Sequence, residues 1–315
     1  MPRAKKPSTE PSPVRRAGTV ALVGRPNVGK STLMNALLGE ALSIVSPTAQ
    51  TTRHRILGVL RHEDAQLGLL DTPGLHAPKT RLGKAMNHAA EGAAGDADVV
   101  VFVTDPPKTD PYRPNPDDLR WIAGLRARAV VLAINKVDKV RPRERLLPLL
   151  AELGQVPGVV AIVPISAEKR SGLDRLLGEV CSRLPEGPAL WEDDALTDRP
   201  VKFWVAEYVR GAVLEVARQE VPHATAVSVE RYDESGKIPR IYATIHVERE
   251  GQKVILVGKG GLGIKRIGTR ARERIEQLLG HRVHLELFVR ETPGWVENAS
   301  MLVELGYEET TREKP

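Results

Sequence analysis

One glycine-containing loop has residue types that could hold phosphate groups. It follows the apolar run 19–23, precedes a stretch with helical spacing from 32 to 38, and consists of Gly24, Arg25, Pro26, Asn27, Val28, Gly29, Lys30 and Ser31. Backbone N–H groups of such a turn point inward at phosphate oxygens, and the positive end of the following helix adds to the field. Lys30 would reach the terminal phosphates, and the Ser31 hydroxyl would bind Mg²⁺. The pattern predicts a phosphate-binding loop, with a flexible strand-to-helix turn as the alternative.

A second motif follows the apolar segment 67–70 and consists of Asp71, Thr72, Pro73 and Gly74. In open α/β sheets, ligands collect at the carboxyl ends of the strands. Asp71 can hold Mg²⁺ through water, and the Gly74 N–H can contact a γ-phosphate. Both residues are therefore candidates for the phosphate end of a nucleotide site.

Two later motifs indicate which base is bound. Asn135, Lys136 and Asp138 follow the strand-like run 129–134. Asp138 could accept hydrogen bonds from guanine N1–H and the exocyclic amine, while the stem of Lys136 packs on the base. Adenine lacks those donors and would leave a desolvated carboxylate unpaired. After a further strand-like run, 159–165, a backbone contact to guanine O6 is expected from Ser166, Ala167 and Glu168. The four motifs in this order predict a GTP-binding domain.

The residues for hydrolysis are present except for one. Attack of water on the γ-phosphate needs charge neutralisation and a positioned nucleophile. Lys30, a metal ion and the loop amides supply the neutralisation. The residue after Gly74 is Leu75, which can neither donate nor accept a hydrogen bond to orient water. Slow intrinsic hydrolysis is therefore expected. Arg53 and Arg55 are left open as arginine fingers, as exposed loop residues or as RNA contacts.

The elements that must position these motifs alternate along the first half of the chain. After 19–23, strands are predicted at 56–60, 66–70, 97–103, 129–134 and 159–165, and helices include 117–128, 143–153 and 173–184. This alternation predicts a doubly wound α/β sheet of about six strands. The proline-rich stretch 105–116 is predicted to be a surface loop, and no chemistry is assigned to it.

The second half has a different pattern. A helix is predicted at 201–217, a hairpin of strands at 224–232 and 238–248, a helix at 269–279 and a last strand at 283–289. Between them stands the GxxG sequence Gly258, Lys259, Gly260 and Gly261. A GxxG between helices lets a KH domain bring its backbone close to single-stranded nucleic acid. The alternative is a glycine-rich loop between two core elements.

Charge favours the RNA-binding interpretation. Residues 251–290 carry nine Lys and Arg against three acids, so this segment equals the formal +6 of the whole chain. We expect Lys259, Lys265 and Arg266 to contact RNA. Aromatic residues make up only 4% of the chain, which argues against a stacking platform.

Composition and low-complexity stretches define the expected domains. The chain has 315 residues, enough for two cores, and its single cysteine excludes a disulfide within the chain. We expect a disordered basic tail at 1–17, a GTPase domain at 18–184, a linker at 185–200, a type-2 KH domain at 201–290 and a C-terminal tail at 291–315. No apolar stretch approaches the roughly 20 residues needed to cross a bilayer.

These motifs resemble the Era family of bacterial GTPases, in the translation-factor-like branch of small GTPases. The resemblance covers roughly 18–308 and rests on 24–31, 50–55, 71–76, 135–138, 166–168 and the GxxG half. It implies a P-loop GTPase domain followed by a smaller α+β KH domain, in which 254–257 is helical rather than a strand. Gly263 stands where the family commonly has Lys.

Residue roles carried over from the family are as follows. Thr52 is the switch threonine that closes onto Mg²⁺ and the γ-phosphate, with Thr51 as the alternative. The catalytic set is then Lys30, Thr52 and Gly74, the metal ligands are Ser31, Thr52 and Asp71, and Thr32 joins the nucleotide-binding residues. Asn27 is expected to bind K⁺ beside the β- and γ-phosphates, with a role in shaping the loop as the alternative. The cofactors are GTP or GDP and Mg²⁺, with K⁺ left open.

The resemblance also implies a target and a role. The expected partner is the 3′ end of 16S rRNA in the small ribosomal subunit, and the role is rRNA processing and subunit biogenesis. A monomer in the cytoplasm is expected, with peripheral contact on the inner face of the cell membrane left open. The alternatives are a non-enzymatic RNA-binding adaptor that holds GTP as a structural ligand, and a tRNA-modifying or translation-factor GTPase. The GxxG half argues against the latter.

Overall fold

A computed structural model describes residues 13–46, 51–125, 129–192, 195–217 and 225–307. Most of the expected basic tail, and Gln50 before the switch threonines, lie outside these ranges. The expected tail nevertheless ends too late. Arg16 and Ala17 belong to the first strand because they pair with Ala65 and Gln66, and the Arg16 guanidinium donates to the Leu184 carbonyl over 2.6 Å.

The first sheet has six strands, which are β1 (Arg16–Val23), β2 (Ile56–His62), β3 (Ala65–Asp71), β4 (Val99–Thr104), β5 (Val130–Ile134) and β6 (Val159–Pro164). Their order is β2-β3-β1-β4-β5-β6, with β2 antiparallel to β3 and all other pairs parallel. The helices on its two faces are α1 (Lys30–Leu38), α2 (Arg81–Asp96), α3 (Pro116–Gly124), α4 (Leu147–Leu153) and α5 (Leu173–Cys181). The predicted doubly wound sheet is confirmed, and the parallel strands bring their carboxyl ends to one edge.

Helix α2 is absent from the predicted elements. Its sequence contains three glycines, which lower helix propensity, and its buried stripe is made largely of alanine. The helix forms because Leu82, Met86, Ala90 and Ala93 share one buried face. Thr80 caps its start by accepting a hydrogen bond from the Gly83 N–H. The predicted helix at 143–153 begins as a 3₁₀ turn, Arg143–Leu146, before α4.

The second half contains α6 (Val201–Val216), β7 (Thr225–Asp233), β8 (Arg240–Val247), α7 (Glu250–Val257), α8 (Leu262–Leu279) and β9 (His284–Glu291). The strands form a sheet of order β7-β8-β9, with β7 antiparallel and β9 parallel to β8. The segment 254–257 is helical, and α8 begins directly after the GxxG rather than at 269. This is the expected type-2 KH order.

Two segments expected to be linker and tail pack against the domains. Gln66, buried on β3, accepts hydrogen bonds from the N–H groups of Leu190 and Trp191 and donates to the Trp191 carbonyl. Near the C-terminus, Trp295 is fully buried and α9 (Ala299–Glu304) follows it. These apolar residues cover Leu82 and Met86 of α2, so 291–307 is a packed segment. No described helix is both long and apolar enough to span a membrane.

Candidate functional site

The loop 24–29 connects the end of β1 directly to the start of α1. Gly24, Asn27 and Gly29 have φ of 144°, 62° and 100°, which favour glycine. A Cβ at Gly24 would lie 2.1 Å from the Val103 carbonyl oxygen, and one at Gly29 would lie 2.3 Å from the Asn135 amide nitrogen. The loop can therefore keep its turn only with glycine at these two positions.

Gly74 lies against the same loop. A Cβ there would come within 2.7 Å of the Pro26 backbone, and the next residue, Leu75, donates its N–H to the Gly24 carbonyl over 3.0 Å. The Leu75 side chain is 2% exposed and belongs to the apolar core. It therefore points away from the site, which agrees with its exclusion as a residue that orients water.

The three metal-ligand candidates converge beside this loop. The Ser31 and Thr52 hydroxyl oxygens are 2.8 Å apart, and the Thr52 hydroxyl donates to Asp71 Oδ2 over 3.1 Å. Adjacent ligands of an octahedral Mg²⁺ lie about 2.9 Å apart, given metal–oxygen distances of about 2.0–2.1 Å. Asp71 Oδ1 is buried without a hydrogen-bond partner among the described residues. The oxygens of these residues fit a magnesium ion.

Lys30 is held inside the loop that it is expected to serve. Its amine donates to the carbonyls of Gly24 and Arg25, each over 3.0 Å. Burial lowers the pKa of Lys30 to about 8, although Asp71 opposes this shift. Burial likewise raises the pKa of Asp71, against the effect of Lys30. A bound triphosphate would favour the charged amine, because an anion at this position compensates its desolvation.

The guanine motifs are joined by one amide. Asn135 donates to the Val28 carbonyl over 2.8 Å and accepts from the Ala167 N–H over 2.9 Å. Its side chain thus holds the phosphate loop and the 166–168 turn together. Asp138 Oδ1 is buried and has no hydrogen-bond partner in the described parts of the chain. This carboxylate has the acceptor that guanine would require.

An acidic residue that sequence reasoning passed over joins the two ends of the site. Asp105, the first residue of the proline-rich stretch, accepts from Arg25 over 3.1 Å and from Lys136 over 2.8 Å. The Arg25 Nε also donates to buried Asp118 over 2.8 Å. No chemistry was assigned to 105–116 from the sequence, and Asp105 is the residue of this stretch that belongs to the site. Its position directly after β4, at the ligand-binding edge, was the available signal.

A cavity of about 340 Å³ lies beside these loops. The predicted residues that line it are Pro26, Asn27, Gly29, Lys30, Ser31, Thr32, Thr52, Thr72, Gly74 and Lys136. The other predicted nucleotide-site residues lie outside its lining and are Gly24, Arg25, Val28, Asp71, Pro73, Asn135, Asp138, Ser166, Ala167 and Glu168. The Val28 side chain packs in the core, and the Thr72 hydroxyl donates to the Leu22 carbonyl. These two side chains therefore stabilise the domain.

The switch segment, residues 51–55, also contacts the second half of the chain. Arg53 is 2% exposed and donates to the Thr225 carbonyl at the start of β7. His54 stacks on Tyr307 with ring centroids 4.4 Å apart. Burial makes Arg53 unsuitable as a finger or as an RNA contact, whereas Arg55 is exposed.

A buried ion pair on α6 completes this contact. Arg210 forms two hydrogen bonds with Glu207, of 2.8 and 2.5 Å, and also donates to the Thr51 carbonyl. Burial opposes ionisation of Glu207, but Arg210 and His54 outweigh it and hold the pKa of Glu207 below its ordinary value. The switch backbone is thereby fixed to the first helix of the KH half.

The GxxG connects α7 to α8 at the surface. Gly258, Gly260 and Gly261 have φ of 68°, 60° and 76°. A Cβ at Gly260 or Gly261 would meet nothing within 4 Å, so the outer side of the turn is open to a ligand. A Cβ at Gly263 would lie 2.4 Å from the Leu256 carbonyl oxygen. Close approach of α8 to α7 thus leaves no room for a Cβ at Gly263.

The basic residues around the GxxG divide into two groups. Arg270 and Arg274 pair with Glu215 of α6, so part of the charge counted in the sequence is neutralised. Lys259, Lys265 and Arg266 are exposed and form no ion pair within the described residues. These are the three cations expected to contact RNA.

Comparisons with known proteins agree with this geometry. A family model described as "50S ribosome-binding GTPase" matches residues 19–136, and a KH domain model matches residues 220–295. The GTPase Era of Xanthomonas axonopodis pv. citri is 44% identical over 93% of this chain and 97% of the relative. That of Stenotrophomonas maltophilia is 43% identical over 92% of this chain and 97% of its own length.

Two solved structures are similar over nearly their whole length. A variant of Aquifex aeolicus Era bound to GDP·AlF4⁻ has a TM-score of 0.87 and 39% identity, covering 93% of this chain and 99% of that one. Era in complex with MgGDPNP and nucleotides 1506–1542 of 16S ribosomal RNA has a TM-score of 0.86 and 40% identity, with the same coverage.

The fold and the site define a P-loop GTPase joined to a KH domain. The sequence identity and coverage of the relatives then identify the family within this class. The chain belongs to the Era family of GTPases.

Proposed function

We propose that this GTPase binds Mg²⁺·GTP at the 24–31 loop and binds 16S rRNA near its 3′ end through the GxxG turn. Its role is in rRNA processing and small-subunit biogenesis. The observation that carries the proposal is that one chain combines a site for phosphate, metal and guanine with an open, cationic GxxG. The related complex with MgGDPNP and 16S rRNA nucleotides 1506–1542 supports both ligands.

In the nucleotide site, Ser31, Thr52 and Asp71 would hold the metal, and Lys30 and the loop N–H groups would neutralise the phosphates. Magnesium, when bound, supplies positive charge at the phosphate oxygens. The Gly74 N–H would contact the γ-phosphate. Asp138 would accept from guanine, and Asn135 and Asp105 would act as positioning residues. Since Leu75 is buried in the core, hydrolysis without a partner is expected to be slow.

In the RNA site, the sugar-phosphate backbone would approach Gly260 and Gly261, where no side chain intervenes. Lys259, Lys265 and Arg266 would contact phosphates. Substituting Lys259→Asp together with Gly260→Asp places two carboxylates there. The open space at Gly260 avoids a steric clash, and Asp is among the residues that best tolerate the positive φ of this position.

The test measures single-strand affinity and GTP turnover, with and without RNA of 16S nucleotides 1506–1542. Affinity for RNA should fall about tenfold or more at 0.1 M salt. Each phosphate contact contributes about 0.7 to the slope of log affinity against log salt, so two lost contacts remove roughly 25-fold of the gain in affinity between 1 M and 0.1 M salt. RNA-stimulated turnover should be lost while turnover without RNA persists. The matched control is Lys237→Asp with Gly236→Asp, in the exposed β7–β8 turn. Equal RNA binding by both double variants would refute the RNA site.

The same measurement separates the non-enzymatic adaptor from the switch. An adaptor that holds GTP only as a structural ligand would bind RNA without a change in turnover. A switch requires RNA to increase the turnover rate. The GDP·AlF4⁻ complex of the Aquifex relative supports the switch.

A further inference from the structure

A cavity that belongs to neither the nucleotide site nor the GxxG lies where the switch segment meets the KH half. Its volume is about 400 Å³, and it is bordered by α6, β7, the end of α9 with the residues that follow, and the switch residue His54. Pockets for small molecules measure about 300–1,000 Å³ and occur preferentially where domains meet. We refer to this space as the junction cavity.

One part of the lining is apolar and aromatic. The side chains that form it are Phe203, Ala206, Val227, Val229, Leu305 and Tyr307. Tyr307 stacks on His54 with ring centroids 4.4 Å apart, and Phe203 meets the same imidazole edge-on at 5.1 Å. These contacts hold two aromatic walls against the switch segment. The junction cavity therefore suits a ligand with an aromatic body.

Three charges of both signs stand beside this apolar lining. Lys202 in the first turn of α6, Glu230 on β7 and Glu304 at the end of α9 all line the cavity and are exposed. None of the three forms an ion pair within the described residues. The Ser228 hydroxyl donates to Glu230 over 2.7 Å and holds the pKa of that carboxyl below its ordinary value. The cavity thus offers both an anion and a cation to a ligand.

A buried donor adds a fourth polar group. Arg210 lines the cavity and is 1% exposed. Its Nε and Nη2 donate to Glu207 and to the Thr51 carbonyl, whereas its Nη1 is buried without a hydrogen-bond partner among the described residues. An unpaired buried donor is costly, so a ligand oxygen that accepts from this nitrogen gains more than it would in water.

We propose that the junction cavity binds a small zwitterion of the class of the aromatic α-amino acids, and that its occupancy favours the GTP-bound switch. Glu230 and Glu304 would bind the ammonium group of the ligand. Lys202 and Arg210 would bind its carboxylate, and the aromatic walls would contact its ring. This inference goes beyond the proposed rRNA-binding function and does not depend on it.

The switch segment connects the junction cavity to the nucleotide site. His54 lies two residues after Thr52, whose hydroxyl contacts Ser31 and Asp71. A ligand that contacts both His54 and the KH half would stabilise this arrangement of the switch. Because coupling between two binding sites is reciprocal, bound GTP should in turn strengthen binding of the ligand.

The experiment measures binding of three probes to the full chain by isothermal titration calorimetry, with Mg²⁺ and a non-hydrolysable GTP analogue bound. L-Phenylalanine carries both charges, phenethylamine lacks the carboxylate and hydrocinnamate lacks the ammonium group. L-Phenylalanine should saturate one site and bind about fivefold or more tightly than either of the other probes, because each of them loses a charge-assisted contact. With GDP in place of the analogue, its affinity should be lower by about fivefold.

Two variants assign the binding to the junction cavity. Ala206→Phe fills the cavity with a ring and leaves its charges unchanged, and its matched control is Ala151→Phe at an exposed position of α4. Lys202→Gln with Glu304→Gln removes two charges of the lining. Its matched control is Lys108→Gln with Glu144→Gln, an exposed pair outside the cavity. Both cavity variants should lower the affinity for L-phenylalanine about tenfold or more, and both controls should bind it like the wild type.

Three results would overturn the cavity site. One is the absence of saturable L-phenylalanine binding up to about 10 mM, ten times a millimolar dissociation constant. Another is binding of phenethylamine or hydrocinnamate as tight as that of L-phenylalanine, since the charges of the lining would then contribute nothing. The third is an equal affinity of the cavity variants and their controls, which would place the binding elsewhere. Equal affinity in the GDP and GTP-analogue forms would refute the coupling to the switch.

Discussion

The buried ion pair on α6, which holds the switch segment to the KH half, makes the most specific prediction. Arg210 is 1% and Glu207 3% exposed, and Arg210 also donates to the Thr51 carbonyl. Arg210→Met preserves much of the side-chain volume but leaves the carboxylate without its main partner. His54 remains beside it, with its Nδ1 3.6 Å from Glu207 Oε1. Loss of the ion pair should lower the free energy of unfolding by about 3–5 kcal/mol. Loss of the hydrogen bond to the Thr51 carbonyl should lower it by about 1 kcal/mol more.

The dependence of this cost on pH follows from the pKa of Glu207. In the wild type the pKa of Glu207 is lower in the folded than in the unfolded chain. The stabilisation is therefore fully present at any pH above the unfolded-state pKa and is lost only as the pH falls through the folded-state pKa. In Arg210→Met, burial without a partner raises the pKa instead. The penalty is then full at high pH and shrinks as the carboxyl group takes up a proton. The deficit should therefore be smaller at pH 5 than at pH 7.5.

Urea unfolding followed by tryptophan fluorescence measures the deficit, since Trp204 and Trp295 are both buried. The double variant Glu207→Gln with Arg210→Met removes both charges and should recover most of the loss. Arg270→Met is the matched control, because Arg270 pairs with Glu215 at the surface and should cost less than about 1 kcal/mol. A deficit no larger than that of the control, or one independent of pH, would refute the reasoning.

Three further predictions concern the nucleotide site. Asp138→Asn should lose GTP affinity and gain affinity for the xanthine nucleotide, whose C2 carbonyl accepts a hydrogen bond. Titration with labelled nucleotides tests this, and unchanged GTP binding would contradict it. Exchanging Na⁺ for K⁺ should raise the hydrolysis rate, and Asn27→Ala should remove the difference; equal rates of the wild type in both salts would exclude a K⁺ site. Thr52→Ala should reduce turnover about 10²-fold or more while Thr51→Ala reduces it far less, since the Thr52 hydroxyl meets Ser31 and donates to Asp71. Single-turnover rates compare the two variants, and equal losses would oppose the assignment.

Much of the nucleotide site could be predicted from short segments of sequence. The loop 24–31 and the residues after β3, β5 and β6 lie at strand ends, and parallel strands bring their carboxyl ends to one edge whatever the remaining contacts are. The GxxG could also be predicted from a short segment, because its glycines at Gly258, Gly260 and Gly261 all adopt positive φ. In these places the local backbone requirement selects the residue type.

Other features depended on contacts between segments far apart in the chain. Helix α2 has weak propensity and is stabilised by tertiary packing, which includes the cluster of Leu82 and Met86 with Trp295, more than two hundred residues later. Asp105 gained its role because β4 lies between β1 and β5 in the sheet, which brings Asp105 to Arg25 and Lys136.

The sequence by itself determined the class of nucleotide site, the GxxG turn and the family, because each depends on residues adjacent in the chain. Only the tertiary structure decided between Thr51 and Thr52 as the residue that meets Ser31 and Asp71. It also placed Arg53 in the interior, where an exposed loop residue was an equal alternative. Burial and ion pairing are properties of the packed chain, and the residue types of 51–55 alone carry no information about which side chain faces the nucleotide and which faces the KH half.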